Sequence, residues 1–181
     1  MPTRACLAVS GLLAAGAASA GWHGEHTASR LDFVARFMGD AVPGRFTDFD
    51  VALSGEAAAG AQLVVSVRTA GAVFDSAEVT AAVRDAAWFD VAQFPEARYE
   101  AALEARGGGR FFAHGTLALK GVQRAIEVPI IWREQADGAH LVGEFAVERG
   151  WFGIGTGSFE ATDEVAAEVR VSFDVRLRRD E

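Results

Sequence analysis

One cysteine, Cys6, occurs in the 181 residues, and it lies within residues 1–20, which have the features of a secretory signal peptide. Arg4 supplies a positive start, residues 5–17 form a short apolar run, and the small residues that follow form a cleavage site. We expect cleavage after residue 20, which leaves one domain of residues 21–181 without cysteine. Disulfides, a thiol nucleophile and thiolate metal ligands are then excluded. The alternative is a buried N-terminal helix, but no amphipathic period accompanies the run.

Long apolar runs are also missing. The N-terminal run is shorter than the about 20 strongly apolar residues that a membrane-spanning helix requires. No second long apolar stretch follows it. We therefore expect a soluble periplasmic protein with no membrane anchor after cleavage.

Positive charge is scarce, since 17 lysine and arginine residues stand against 25 aspartate and glutamate residues. The formal net charge is −8, and removal of Arg4 with the signal peptide makes the mature chain more acidic still. Such a balance keeps a protein in solution and argues against nucleic acids and anionic membrane surfaces as partners. The length suits a single domain that buries about 70% of its unfolded surface without disulfides.

Catalytic motifs are few. The glycine-rich residues 150–157 precede no helical pattern and lack the lysine of a phosphate-binding loop, so we interpret them as a bend between strands. Residues 155–159 do not match the Gly-x-Ser-x-Gly nucleophile elbow. No sequence motif therefore indicates a catalytic residue, and we predict that the protein is not an enzyme.

The four histidines offer little chemistry. His23 and His26 could bind a metal, but they lie at the new N-terminus, where chains fray. A metal-dependent enzyme, such as a hydrolase, that uses these two residues is a further hypothesis. His114 and His140 fall in different predicted strands with no obvious carboxylate partner, which is more typical of surface or rim histidines than of bases. We predict no metal site and no cofactor.

The dominant pattern is an alternation of apolar and polar residues. In residues 169–178, Val169, Val171, Phe173, Val175 and Leu177 alternate with polar or charged side chains. Strict period two is typical of a strand with one buried face. The same pattern predicts strands within residues 31–37, 49–53, 63–67, 99–105, 111–119, 126–132 and 141–147.

Turn residues separate these runs. Glycines at 107–109 permit the positive φ of a hairpin loop, and Asp137-Gly138 and Lys120-Gly121 predict two further tight connections. Strands joined mainly by hairpins hide their edges most simply by closing into a barrel. We therefore predict an all-β fold, an eight-stranded antiparallel lipocalin-like barrel. A two-sheet sandwich is the alternative.

One segment departs from the alternation. Residues 75–83 are rich in alanine, and Asp75 or Ser76 can cap a first turn, which predicts a short helix. Trp88-Phe89-Asp90 and Phe94-Pro95 follow this helix. Long structured connections in a small barrel often cover its mouth, so we expect a lid here.

The predicted inward faces are rich in aromatic residues interspersed with alanine and glycine. An eight-stranded barrel is just wide enough for its own side chains or for one elongated ligand. An apolar tunnel stabilises a prenyl or acyl chain by roughly 0.8 kcal/mol per buried methylene, without a charged anchor. We predict a ligand-binding site in the barrel interior and lid. Its residues are Phe33, Phe37, Phe46, Phe49, Trp88, Phe89, Phe94, Phe111, Leu117, Leu119, Trp132, Phe145, Trp151, Phe152 and Phe173.

The order of these motifs resembles the YceI-like family of exported lipid-binding proteins over nearly all of residues 22–178. The resemblance is carried by residues 29–33 (SRLDF), 44–46 (GRF), 88–90 (WFD) with 94–95 (FP), 115–122 (GTLALKGV) and 147–155 (VERGWFGIG). It implies a lipocalin-like barrel with a helical lid around a polyisoprenoid, such as a quinone or a prenyl phosphate. Some similar members accompany membrane b-type cytochromes, which favours a quinone as the ligand and such a cytochrome as a partner.

The sequence departs from the family pattern at several positions. Ala28 and Phe37 stand where family members often carry histidine, Val79-Thr80 replaces the usual Arg-Asp before the lid, and Trp151 replaces an acidic residue. We interpret the apolar substitutions as suited to a tunnel for a lipid tail. Arg149 is expected to hold the lid, and Gly115, like other glycines of these motifs, to serve a turn.

Two functional hypotheses follow. The first is a periplasmic carrier or reservoir for an isoprenoid lipid, acting as a monomer or homodimer. The second is an exported interaction or stress-response module, in which the barrel is filled by its own side chains and binds no ligand.

Overall fold

The computed structural model describes residues 21–55 and 60–180. The predicted signal peptide, and Cys6 with it, lie outside the described residues. Within these ranges the chain forms eleven strands and one α-helix, α1 (Ala77–Ala82). The strands are β1 (Gly21–Gly24), β2 (Arg30–Phe37), β3 (Asp40–Phe46), β4 (Phe49–Ser54), β5 (Gln62–Arg68), β6 (Ala72–Phe74), β7 (Glu96–Gly107), β8 (Arg110–Leu119), β9 (Val122–Gln135), β10 (Gly138–Glu148) and β11 (Glu168–Arg179).

The strands close into an antiparallel barrel. β4, β5, β7, β8, β9, β10 and β11 pair in that order, and β1 completes the ring by pairing with both β11 and β4. β1 and β2 both pair with β11, so they are two halves of one interrupted strand. β3 pairs with β2 and β6, just as β4 pairs with β1 and β5. β3 and β4 are therefore two parts of one strand, and β5 and β6 are two parts of another. Counted this way, eight strands form the barrel, which confirms the predicted fold over the sandwich.

The alternation of side chains places the apolar residues inside. Along β7, Ala97, Tyr99, Ala101 and Leu103 are buried, and the residues between them are exposed. The eight predicted runs all lie in strands of the barrel. The short β1, β3 and β6 were not predicted. β3 contains Pro43 and Gly44, which interrupt any apolar alternation, and β1 and β6 are too short to show a period.

One end of the barrel is packed solid. The rings of Trp22 and Trp132 meet edge-on with centroids 5.1 Å apart, and the Arg179 guanidinium lies over Trp22. Leu53 and Leu177 are almost completely buried beside them. We refer to this region as the closed end. Because these side chains fill the closed end, any space inside the barrel must lie towards the opposite end.

The predicted turns are confirmed. Gly107, Gly108 and Gly109 all have positive φ in the connection between β7 and β8. Lys120 and Gly121 join β8 to β9 with φ of 49° and 75°. Two consecutive left-handed residues are the geometry of a tight hairpin turn whose twist matches that of the flanking strands.

The predicted helix is also confirmed, over Ala77–Ala82. Ser76 is its N-cap, and its side chain accepts a hydrogen bond from the backbone N–H of Val79. The helix is followed by turns that carry Trp88 and Phe89. Within the described chain, no helix has the length and apolar character needed to cross a membrane.

Gly115 does not serve a turn, contrary to our expectation. It lies within β8, opposite Ala101 of β7. A Cβ atom at this position would overlap the backbone oxygen of Glu100 and the Cβ atom of Ala101. The glycine therefore allows β7 and β8 to approach closely, and its role is steric rather than conformational.

We expect Gly115→Ala to lower the free energy of unfolding by about 1–3 kcal/mol, because the added methyl forces backbone apart in a packed wall. Urea denaturation of the mature protein measures this change. Gly150→Ala is the matched control, since a Cβ atom there would meet nothing within 4 Å. The control should be neutral or gain about 0.4–1 kcal/mol through the unfolded state. Equal losses in both variants would contradict the steric role.

Candidate functional site

The barrel encloses a cavity of about 220 Å³ between the closed end and the lid. The volume far exceeds the about 15 Å³ that one water molecule needs. The surface that the wall presents to this space is apolar throughout. The barrel is therefore hollow at one end, and the hypothesis of a barrel filled along its whole length does not describe it.

Ten of the fifteen predicted site residues line this cavity. They come from β2 to β4, the lid, β8, β10, β11 and the turn after β10, and the barrel brings them around one space. These residues are Phe33, Phe46, Phe49, Trp88, Phe89, Leu117, Leu119, Phe145, Phe152 and Phe173.

Three predicted site residues are packed elsewhere. Phe111 and Trp132 face inward, but they belong to the closed end, below the cavity. Phe94 lies under the lid, where its ring occupies the space beside Gly121 and its carbonyl accepts a hydrogen bond from Thr69. Alternation predicted the inward face correctly for Phe111 and Trp132, but it carries no information about depth along the barrel axis.

Phe37 and Trp151 lie on the outside, where their side chains are 45% and 42% exposed. Phe37 ends β2 beyond the segment that pairs with β11. Trp151 lies in the 3₁₀ turn Arg149–Phe152, whose buried residues are Arg149 and Phe152. Positions three apart share a face in a 3₁₀ turn, so Trp151 points away from the barrel.

The apolar substitutions relative to the family pattern therefore do not build the tunnel. Phe37 and Trp151 face solvent, and Ala28 is exposed as well. Our interpretation of these three substitutions as parts of a tail-binding tunnel is wrong. The tunnel is built by strand residues whose side chains point inward because of the register of their strands.

Several cavity residues were not singled out from the sequence. Aliphatic residues on the inward faces of the predicted strands, such as Leu31, Val65 and Val171, could have been found by the same alternation. Phe74 and Val165 lie outside the predicted strands, in β6 and in the connection before β11, and no sequence signal indicates their contact with the cavity.

Hydrogen bonds between two connections build the lid over the cavity. The N–H groups of Gly155 and Thr156 both donate to the carbonyl of Ala87, at 2.7 and 3.0 Å. The rings of Trp88 and Phe159 pack together with centroids 5.1 Å apart. The segment around Trp88 and the connection between β10 and β11 thus form one covering layer.

Lys120 ties this layer to the barrel wall. Its Nζ donates to the carbonyls of Ala86 and Gly153, each at 2.7 Å. Burial lowers the pKa of the Lys120 ammonium, and the nearby Asp90 carboxylate partly opposes this effect. The single lysine of the chain is thus a structural clamp between the β8–β9 turn and both halves of the lid.

Arg149 organises the connection between β10 and β11. It is 5% exposed, and the five N–H groups of its guanidinium donate to six backbone carbonyls, three of which share the two hydrogens of Nη2. The acceptors are the carbonyls of Ile154, Gly155, Phe159, Ala161, Val165 and Ala166, at 2.7–3.2 Å. Burial lowers the pKa of Arg149 from its ordinary value. This arrangement agrees with the expected role of Arg149 in holding the lid.

The polar side chains that border the cavity are occupied by the protein itself. The Tyr99 hydroxyl donates to the carbonyl of Ala113 at 2.7 Å, and burial raises the pKa of this phenol strongly. The Thr69 hydroxyl donates to the carbonyl of Phe94 at 2.8 Å. With Arg149 engaged by six carbonyls, these three groups stabilise the fold and leave the cavity a purely apolar site.

The histidines lie away from the cavity, and three of them have carboxylate partners that the sequence did not reveal. His114 lies between Glu104 and Glu127, at 2.9 and 3.0 Å, and His140 lies 2.9 Å from Asp174. Our expectation of no carboxylate partner is wrong, because cross-strand register brings these distant residues together.

The N-terminal histidines face different neighbours. His23 pairs with Asp180 at 2.6 Å, whereas a ring nitrogen of His26 lies 3.3 Å from the carbonyl of Phe49. In the described part of the chain, no three histidine, cysteine, aspartate or glutamate side chains are grouped so that they could hold a metal ion.

Comparison with solved structures supports the barrel fold. BcnA from Burkholderia cenocepacia superposes with a TM-score of 0.81 at 23% identity, over 85% of this chain and 98% of BcnA. A polyisoprenoid-binding domain from Saccharophagus degradans, implicated in plant cell wall breakdown, gives a TM-score of 0.73 at 15% identity, over 88% and 98% of the two chains. A variant of the Campylobacter jejuni YceI protein with a monobromobimane guest gives 0.67 at 16% identity, over 76% and 84%.

Sequence comparison identifies the family directly. No curated protein matches the chain. The profile of the YceI-like domain, however, matches residues 22–177, which include every residue that lines the cavity. Together with the closed barrel and its apolar cavity, this match shows that the chain belongs to the YceI-like family.

Proposed function

We propose that this protein is a periplasmic carrier or reservoir for an isoprenoid lipid, and that it is not an enzyme. The observation that carries the proposal is the apolar cavity beneath the lid, whose wall offers a ligand no free polar group. Such a site stabilises a hydrocarbon chain by roughly 0.8 kcal/mol per buried methylene. The polyisoprenoid-binding domain of Saccharophagus degradans, which shares the fold, supports an isoprenoid over other apolar chains.

An isoprenoid quinone fits the site better than a prenyl phosphate. Tyr99, Thr69 and Arg149 already bond to backbone carbonyls, so they are not free to pair with an anion. The chain also carries a net negative charge. A phosphate group placed at the mouth of the cavity would lose hydrating water without gaining a cationic partner, whereas a quinone headgroup is neutral and does not incur this cost.

Export by the predicted signal peptide would place the carrier where it can exchange quinone with the membrane. A quinone-reactive membrane cytochrome of the b type is the partner that we propose on the strength of the family resemblance. Binding of the purified protein to such a cytochrome, measured with quinone-loaded and empty protein, tests this point.

Mass spectrometry of the co-purified lipid tests the ligand. The exported protein is purified without detergent and extracted with organic solvent, and we expect a prenyl quinone in the extract. The empty protein is then mixed with geranylgeranyl quinone or geranylgeranyl phosphate. At about 100 times the dissociation constant, the quinone should stabilise the fold by about 2.7 kcal/mol, or roughly 5–10 °C in melting temperature. Protein that neither carries nor takes up either lipid would sink the proposal.

A further inference from the structure

The barrel wall has a gap between β9 and β10. These strands contain 14 and 11 residues, yet only five residue pairs join them, from Gly138 opposite Gln135 to Val142 opposite Ile131. Each strand has ten pairs with its other neighbour. Within the described chain, residues 122–130 of β9 therefore pair on one side alone, as do residues 143–148 of β10.

The residues at the base of the gap explain why the strands separate. Pro129 in β9 has no backbone N–H to donate to a neighbouring strand. Gly143 in β10 has no side chain, and the Phe173 ring and the Pro129 carbonyl occupy the place where a Cβ atom would lie. The ladder thus ends where a donor is missing and an aromatic ring intrudes.

The gap runs along the cavity. Ile126 and Val128 on the β9 side, and Phe145 and Val147 on the β10 side, all line the interior space. At its base, Ile130 borders both the cavity and a groove on the outer surface of the barrel. Phe112, Pro129 and the exposed Ile131 give this outer groove an apolar floor.

The mouth under the lid is closed more firmly than the gap. Opening the lid between its two halves would break the two hydrogen bonds to the Ala87 carbonyl and at least one of the two from Lys120. Separating β9 and β10 further breaks no ladder hydrogen bond between residues 122–130 and 143–148, because none is formed there. The route with the smaller loss of interactions has the lower barrier.

We propose that the gap between β9 and β10 is a side opening through which an apolar tail enters and leaves the cavity while the lid stays in place. This inference rests on the proposed function, since it assumes that the cavity takes a hydrocarbon chain. It adds the route, and it assigns the lid a structural rather than a gating role.

Chemical tethers across the gap test the route. The mature chain is expected to have no cysteine, so Ala125→Cys with Ala146→Cys places two thiols on exposed positions of β9 and β10. Bismaleimide linkers of graded length join them after the protein has folded. Glu100→Cys with Thr116→Cys, directly opposite each other on the fully paired β7 and β8, takes the same linkers as the matched control.

A third variant locks the lid instead. Ala87→Cys with Thr156→Cys joins the two halves of the lid where the backbone N–H of Thr156 meets the Ala87 carbonyl. In all three proteins the binding of a decyl-tailed quinone is followed in stopped flow by the quenching of tryptophan fluorescence, since Trp88 lines the cavity.

We expect the short tether across the gap to slow association and dissociation together by about tenfold or more, because it raises one barrier for both directions. The dissociation constant should therefore change little, and the other two tethers should leave the rates near those of the untethered protein. Slowing by the lid tether alone, or equally by all three, would overturn the side opening. Failure of the untethered protein to bind any quinone would instead contradict the proposed function.

Discussion

Replacing Arg149 with methionine is expected to lower the free energy of unfolding by about 3–5 kcal/mol, because each carbonyl left buried without a donor costs about 1–3 kcal/mol and local opening limits the sum. Six backbone carbonyls share this one guanidinium. Methionine replaces the aliphatic stem of the arginine side chain but donates no hydrogen bond. For a domain of this size the loss corresponds to roughly 6–20 °C in melting temperature.

In Arg149→Met, the connection between β10 and β11 should unfold more readily than the barrel as a whole. Without the guanidinium, the connection between β10 and β11 is expected to open to water while the closed end stays intact. Hydrogen exchange measures this directly, since the amides of Ile154 and Gly155 should lose protection and those of Leu53 and Leu177 should keep it.

Two further variants control for charge and size. Arg170→Met removes an exposed guanidinium from β11 and should change stability by less than about 0.5 kcal/mol. Arg149→Lys keeps a positive charge but has three donors, so it should fall between the parent protein and Arg149→Met. If Arg149→Lys were as stable as the parent, charge rather than the carbonyl contacts would hold the connection.

Filling the cavity should separate binding from folding. Ala97 lines the cavity from β7, and Ala101 lies on the same face of the same strand within the packed closed end. We expect Ala97→Phe to keep the stability of the parent to within about 1 kcal/mol, because the new ring enters existing space. Ala101→Phe should cost about 1–3 kcal/mol, because it overpacks a filled region.

The same pair of variants tests the ligand site. Ala97→Phe should abolish the quinone-dependent stabilisation of about 2.7 kcal/mol expected for the parent at 100 times the dissociation constant. Ala101→Phe should retain this quinone-dependent stabilisation, although the variant without ligand is less stable than the parent. Thermal melts with and without the quinone provide the measurement. A barrel that bound lipid on its outer surface would show the same increment in both variants.

Much of the fold could be predicted from local patterns. The period-two strands, the turns at residues 107–109 and 120–121 and the Ser76 cap are properties of short segments, and each was confirmed within the described residues. The inward orientation of Phe33, Phe49, Leu117 and Phe173 follows from the same alternation, and all four line the cavity.

The remaining features depend on which segments meet. Alternation could not tell that Phe111 and Trp132 lie in the closed end, or that Phe37, at the end of β2 beyond its ladder with β11, faces solvent. The carboxylate neighbours of His114 come from two other strands, and four of the six acceptors of Arg149 lie beyond the motif of residues 147–155. An alternating pattern also does not show where the hydrogen-bonded pairing between two strands ends, as it does between β9 and β10.

Local residue preferences are enough to specify an all-β barrel with an apolar inner face, because strand, turn and cap preferences act over a few residues. The tertiary structure decided how much of that inner face is a cavity, because packing at the closed end depends on which side chains share a level. It also decided what holds the lid and where β9 and β10 separate. These features arise from register between strands far apart in the chain, and no local pattern encodes that register.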